Sequence, residues 1–303
     1  MSTFVPPARL GVGWSYFPTA PEINARVRDL IDFAEVSPDT LCREVQTDRG
    51  PRMHLQPALV DTARRPLDGI PVTVHGLELS IGSASTWNDS YVMMLDEFRC
   101  IHDFAWHSEH LGYLLTEDRR GQTLNAGVPL PLPFTREAVD LVAPRADWLI
   151  DRYGTPFLLE NAVYYFPDLP ADPGWDEIVF LNRLVESSSC GLLLDLFNLY
   201  CNSLNHHFDL IDALARLRLD RVVEVHLAGG KFVDGFILDG HCNAVPEPVW
   251  AALEWLLPRA DNLAGVVYEV LEPALPLVGL DTLRDQLLRL RTTWNAARAR
   301  SAA

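Results

Sequence analysis

The sequence predicts a (β/α)8 barrel of the TIM type, and three observations carry that reading. Short apolar, β-rich runs alternate with longer amphipathic stretches along the chain, and eight such runs can be counted. Residues of metal-ligand type stand at or near the ends of six of those runs, where a barrel gathers the C-terminal ends of its strands on one face. The length, 303 residues, is ordinary for one such barrel. An open doubly wound sheet is the alternative, but no GxGxxG follows the first strand.

Taken in order, the expected strands are 8–13 (RLGVGW), 32–37 (DFAEVS), 70–75 (IPVTVH), 103–108 (DFAWHS), 156–160 (PFLLE), 190–195 (CGLLLD), 221–227 (RVVEVHL) and 264–270 (AGVVYEV). Each is four to eight residues of mostly apolar sequence, the length of a buried parallel strand. Helical periodicity marks 21–32, 135–153, 174–187 and 247–259, with Thr135 placed to cap its helix. A last helix is expected over about 281–301. The Pro-rich stretch 114–134 reads as a long loop of the kind that forms lids. One domain is expected over 1–303, with the barrel over about 8–276.

Lys and Arg number 25 against 41 Asp and Glu, for a net charge of -16. Such a surface repels phosphate backbones, so nucleic acid is not an expected partner. The cysteines, Cys42, Cys100, Cys190, Cys201 and Cys242, are odd in number and show no CxxC spacing. That fits a reduced, cytoplasmic protein without a disulfide frame. No signal-peptide pattern opens the chain, and no stretch approaches the ~20 apolar residues of a membrane span.

The chemistry sits at the strand ends. His75 closes the third strand, Glu160 the fifth and Asp195 the sixth. His110 lies just past the fourth, His226 late in the seventh and Glu269 near the end of the eighth. Singly, each has a bland reading: a core histidine, or a helix cap for Asp195. Jointly, three carboxylates converging on one buried face would repel unless cations sat among them. A second set follows strands six and seven, on what read as loops: Asn198 and His206, then Asp239 and His241. These ten ligands suit two or three ions, and imidazole with carboxylate but no thiolate favours iron, manganese or zinc. Asn161, beside Glu160, is expected to support the site. His54, His102 and His107 read as surface or core, although His107 competes with His110 for the ligand position. His207 is a further candidate, and Trp87 reads as core or pocket lining.

In this order, "VHGLELSIGS" (74–83), "SEHLGY" (108–113), "PLPFT" (131–135), "LEN" (159–161), "LLLDLFNLYCNSLNHHFD" (192–209), "EVHLAGG" (224–230), "DGHCNAVPEPVW" (239–250) and "YEV" (268–270) resemble the multinuclear non-haem iron-dependent oxidative enzymes. These are relatives of the catalytic subunit of methanobactin biosynthesis. The resemblance implies a xylose-isomerase-like barrel with two or three irons at its C-terminal face and dioxygen as co-substrate. It implies modification of a ribosomally made precursor peptide at Cys, or at Asp or Asn, often with a separate partner protein that captures the leader peptide. The ten residues above match its ligand positions, with Glu160, Asp195 and His226 expected to serve catalysis. The chain departs from the pattern at Phe197, at His207, at Gly230 and in "EVLE", which alters the substrate pocket rather than the ligands. A divalent-metal sugar isomerase or epimerase on the same barrel is the alternative, with Lys231, the one lysine of the chain, as its candidate base.

Overall fold

In the computed structural model, which describes residues 4–48, 50–85 and 87–301, eight parallel strands close into a barrel in sequential order around the ring. They are β1 (Gly11–Ser15), β2 (Phe33–Val36), β3 (Val72–Gly76), β4 (His107–His110), β5 (Phe157–Glu160), β6 (Gly191–Asp195), β7 (Val222–Leu227) and β8 (Gly265–Tyr268). The expected strands all appear, with β4 shifted toward its C-terminal end.

The outer layer is formed by α1 (Pro21–Val27), α2 (Pro57–Leu67), α3 (Asp89–Ile101), α4 (Arg136–Tyr153), α5 (Glu177–Ser187), α6 (Leu196–His206), α7 (Leu210–Arg216), α8 (Glu247–Leu256), α9 (Leu275–Val278) and α10 (Leu280–Ser301). Thr135 caps α4 as expected, accepting from the Ala138 amide. The stretch 114–134 is not a structureless loop. Gly112–Glu117 and Thr123–Pro131 pair as an antiparallel hairpin. Two further hairpins, Cys42–Thr47 with Gly50–Leu55 and Lys231–Val233 with Phe236–Leu238, follow β2 and β7. No helix among the described residues is long and apolar enough to cross a membrane.

Alternation along the strands positions the site. Side chains two apart share a face, so each polar residue at the rim stands above an inward residue lower in the same strand. Phe33, Trp106, Leu158, Leu193, Val223, Ala264 and Val267 pack together inside the ring. Above them on the same strands come Glu35, Ser108 and His110, Glu160, Asp195 and Glu269. The floor is tight: a Cβ on Gly13 would lie 2.3 Å from the Phe33 ring, so only glycine fits there. This packed floor closes the barrel below the polar rim and leaves the C-terminal face as the way in.

Candidate metal centre

His75 and His110 both aim Nε2 at one carboxylate oxygen. Nδ1 of His75 meets Ser108 Oγ at 3.0 Å, and that hydroxyl donates its proton to the Val74 carbonyl at 3.1 Å. Oγ therefore accepts from Nδ1–H, which leaves Nε2 an unprotonated lone pair. Nδ1 of His110 faces the Gly76 carbonyl at 3.4 Å, which selects the same tautomer. The two Nε2 atoms lie 3.3 and 3.4 Å from Glu160 Oε2. Burial, and then the neighbouring His110 charge, holds His75 well below the usual histidine range. Burial likewise lowers His110. Two neutral lone pairs and a carboxylate oxygen facing one another repel unless a cation sits between them.

Glu160 also belongs to a second group. Glu160, Asp195, His226 and Glu269 offer ligand atoms that all lie within 4.8 Å of one another, as do His75, His110 and Glu160. Glu160, 1% exposed, thus stands where a carboxylate bridging two ions would. Its pKa is driven well above the carboxylate range by burial, with Glu269 and Asp195 adding to the rise and the histidines opposing it. Nδ1 of His226 lies 2.8 Å from Glu269 Oε2, and Nε2 lies 3.0 Å from Glu35 Oε2. Burial alone would lower His226; Glu35 and Glu269 outweigh it and hold the ring well above its usual range.

The third part lies around His241. Its Nε2 is 2.6 Å from Asp239 Oδ1 and 3.6 Å from Asp195 Oδ2, and its Nδ1 is 3.1 Å from Glu269 Oε2. His241 sits at a φ of 39, a left-handed conformation that a non-glycine residue holds only when its surroundings impose it. Asp195 is both cap and candidate ligand. Its Oδ1 accepts from the Asn198 amide at 2.7 Å and so opens α6, while its buried Oδ2 has no hydrogen-bond partner. Burial pushes this carboxyl up to about 7. Asn161 clamps the Asp195 backbone from both sides, donating to its carbonyl at 3.1 Å and accepting from its amide at 2.9 Å. Asn198 donates to the Asn161 carbonyl at 3.0 Å and turns a buried, unpartnered Oδ1 inward.

Unsatisfied buried polar atoms are scarce in folded proteins, yet here they are concentrated. His75 Nε2, Glu160 Oε2, Asp195 Oδ2 and Asn198 Oδ1 lack a hydrogen-bond partner, and His226 Nδ1, His241 Nε2 and Glu269 Oε2 meet only other candidate ligands, at 2.6 to 3.1 Å. All are nitrogen or oxygen donors of the kind iron, manganese or zinc takes, and the residues present fit a multinuclear metal centre. No cysteine enters the groups that could hold an ion.

Nine of the ten sequence-predicted ligands come together; His206 does not. Asn198 and His206 lie on α6, not on a loop. At about 1.5 Å per residue, His206 sits some 16 Å along the helix from Asp195. Its Nε2 is taken up by the Tyr164 carbonyl at 2.8 Å, and its ring stacks on Tyr164 with centroids 4.1 Å apart. His207 is the left-handed residue that ends α6.

His107 does not compete with His110, because β4 turns it to the opposite face. It is buried and has an acidic partner: Nε2 lies 3.0 Å from Glu109 Oε1 and 3.3 Å from the Tyr91 hydroxyl. His54 approaches Glu97 at 3.8 Å, and His102 meets the Asp103 carbonyl. Trp87 packs on Trp148 and Arg145. Lys231 is exposed on its hairpin.

Two buried residues escaped the sequence reading. Glu35 backs His226 and accepts from Ser15 Oγ at 3.3 Å. Glu224, one inward step below His226, accepts from Trp106 Nε1 at 2.7 Å. Burial and then Glu35 push Glu224 up to about 8. For Glu224 the available signal was spacing, since an acid two residues before a candidate ligand shares its face of the strand; Glu35 had no such neighbour in sequence.

The family model described as RiPP precursor modification enzyme MbnB/TglH/ChrH matches residues 9–290. A UPF0276 protein of Nitrosospira multiformis is 31% identical over 96% of this chain and 94% of its own. One from Caulobacter vibrioides is 32% identical over 91% of each. Among solved structures, a chitinase from Chromobacterium violaceum aligns with a TM-score of 0.49 at 12% identity, over 95% of this chain and 99% of that one.

Proposed function

We propose that this chain, which belongs to the MbnB/TglH/ChrH family of RiPP precursor modification enzymes, is an iron-dependent oxidative enzyme acting on a side chain of its precursor peptide. The observation that carries this is the set of seven buried nitrogen and oxygen atoms around Glu160 that lack a hydrogen-bond partner or meet only other candidate ligands. In the proposed assignment His75, His110 and Glu160 would hold one ion, and Glu160, Asp195, His226 and Glu269 a second. Asp239 and His241, with Asp195 and Asn198, would hold a third. Bound iron would supply the redox chemistry toward dioxygen that oxidation of a Cys, Asp or Asn side chain requires.

The remaining work belongs to the protein. Ser108 and the Gly76 carbonyl fix the tautomers of His75 and His110, and Glu35 fixes that of His226. Asn161 holds the Asp195 backbone in place. Exposure rises from the Glu160 side chain at 1% to His110 at 25% and Asp239 at 29%. A peptide side chain would therefore arrive over His110 and Asp239, with the floor of the barrel excluding water beneath. Nothing favours the sugar isomerase: its candidate base, Lys231, is exposed on a hairpin. A separate leader-binding protein and a cytoplasmic setting belong to the same proposal.

Elemental analysis tests the metal assignment. Protein produced and loaded anaerobically with ferrous iron should carry two or three irons per chain. Full activity in a preparation holding only zinc would overturn it.

A further inference from the structure

The hairpin after β7 has one edge sealed and one edge open. Its strands pair as Lys231 with Leu238, Phe232 with Ile237 and Val233 with Phe236. Asp234 and Gly235 form the turn, at φ 48 and 91, the double positive φ of a type I′ hairpin that an Asp-Gly pair favours. A two-residue turn makes the flanking pair, Val233 and Phe236, the hydrogen-bonded one. By alternation, Phe232 and Ile237 then point their backbone N–H and C=O outward.

On one edge these groups are satisfied by a side chain. Asn205 of α6 donates to the Ile237 carbonyl at 3.1 Å and accepts from its amide at 3.0 Å, as a neighbouring strand would. On the other edge, the Phe232 amide and carbonyl meet no partner among the described residues, and the Phe232 side chain is 70% exposed. Val233 and Phe236 are also exposed, as is Phe166 beyond β5. Phe236 packs against Tyr165 with ring centroids 6.3 Å apart. An open edge carrying exposed aromatics is a template for an added strand.

The hairpin is anchored to the metal centre. Leu238 is followed directly by Asp239, whose amide is held by the Tyr165 hydroxyl at 3.0 Å, and His241 lies two residues on. At the base, a Cβ on Gly230 would lie 2.0 Å from the Leu238 carbonyl and 2.8 Å from the Phe197 ring. Gly230 and Phe197, two departures from the resemblance pattern, therefore meet here, and glycine is what lets the two hairpin strands close. The open edge is thus held in fixed register with Asp239 and His241.

We infer that the precursor peptide docks as an extended strand on the open edge at Phe232, with an apolar side chain against the exposed Phe232 ring. This rests on the reading of the chain as a peptide-modifying enzyme. The occupant follows from that reading and from continuity: three residues separate the open-edge strand from β7, which carries His226, and a peptide segment paired with Phe232 lies one strand across from Leu238, which leads into Asp239. Backbone pairing supplies affinity without regard to sequence, and the aromatics select apolar neighbours of the modified residue.

The probe is a fluorescein-labelled synthetic peptide with one central cysteine flanked by apolar residues, and binding to the iron-loaded protein is read by fluorescence anisotropy. Phe232→Pro deletes the ring and also the outward N–H, at an edge position that tolerates proline, and should weaken binding about three- to tenfold beyond Phe232→Ala, the loss of one hydrogen bond. Phe232→Ala keeps the backbone and should weaken it about tenfold or more, for the lost apolar burial. N-methylation of the peptide residue whose N–H meets the Phe232 carbonyl removes the other hydrogen bond of the pair and should weaken binding to the wild-type protein by a similar factor of about three- to tenfold. Iron content should stay at the wild-type level in both variants. Wild-type affinity in both variants and for every N-methylated peptide overturns the docking edge and leaves the peptide reading standing. A wild-type protein that does not bind the peptide overturns both.

Discussion

Replacing Glu160 with Gln should separate metal binding from folding. The Glu160 side chain is 1% exposed, and its Oε2 faces the unprotonated Nε2 atoms of His75 and His110 at 3.3 and 3.4 Å. In the metal-free protein that carboxyl is held well above its usual pKa, first by burial. Its stabilising proton is fully present below the ordinary glutamate range and is lost as pH rises toward the folded value. Gln is isosteric and uncharged, and its amide can donate one proton to each Nε2. The metal-free variant should therefore melt at or above the wild type, with the gap widening from pH 6 to pH 8. Iron reverses the order. An ion at one hundred times its Kd stabilises the folded state by about 2.7 kcal/mol, and a chain this long gains about 2–3 °C for each kcal/mol. Differential scanning fluorimetry under anaerobic conditions should show a rise of roughly 5–8 °C for the wild type and a clearly smaller one for Glu160→Gln, which keeps only the ligand set around His241. A metal-free variant melting several degrees below the wild type, with the full rise on adding iron, would refute the reasoning and make Glu160 a structural core carboxylate.

Further outcomes follow from the same geometry. Asp195→Asn keeps an oxygen that can cap α6 but removes the ligand charge, so it should cost iron without lowering the metal-free melting point, whereas His206→Ala should leave the iron count unchanged; elemental analysis of the two variants checks both. Glu35→Leu should lower iron affinity about 10- to 100-fold by freeing the His226 ring, with Glu35→Gln largely restoring it, as read by competition with a chelator. Glu177, buried and pushed up to about 8 by that burial despite its bond from Asn202, should weaken the fold progressively from about pH 5 to pH 8, because the folded state keeps a proton that the unfolded chain loses. Glu177→Gln should flatten that decline, and the advantage of the variant in urea denaturation should reach a few kcal/mol at most by pH 8.

The strands were legible because a barrel writes each of them as a short apolar run, and the strand-end ligands because all eight ends meet on one face. Helix α6 was harder to read. Asn, Asn, Asn, His, His and Asp in sequence look like a loop, yet Leu196, Leu199 and Ser203 lie buried at helical spacing behind the Asp195 cap. That periodicity was enough to put His206 three turns away from the centre. The Pro-rich stretch 114–134 hid a hairpin because its prolines crowd into the end of one strand. Glu35 and Glu224 were passed over because neither ends its strand; Glu224 could have been marked by His226 two residues on, whereas Glu35 meets His226 only once the ring closes. His107 was separable from His110 by alternation alone, since residues three apart on a strand face opposite ways.

The most direct test of the central claim is the mass of the precursor peptide after incubation with iron-loaded protein, in air and under strict anaerobiosis. The account requires a mass change that depends on dioxygen and disappears in Glu160→Gln. Equal turnover with and without dioxygen would contradict it.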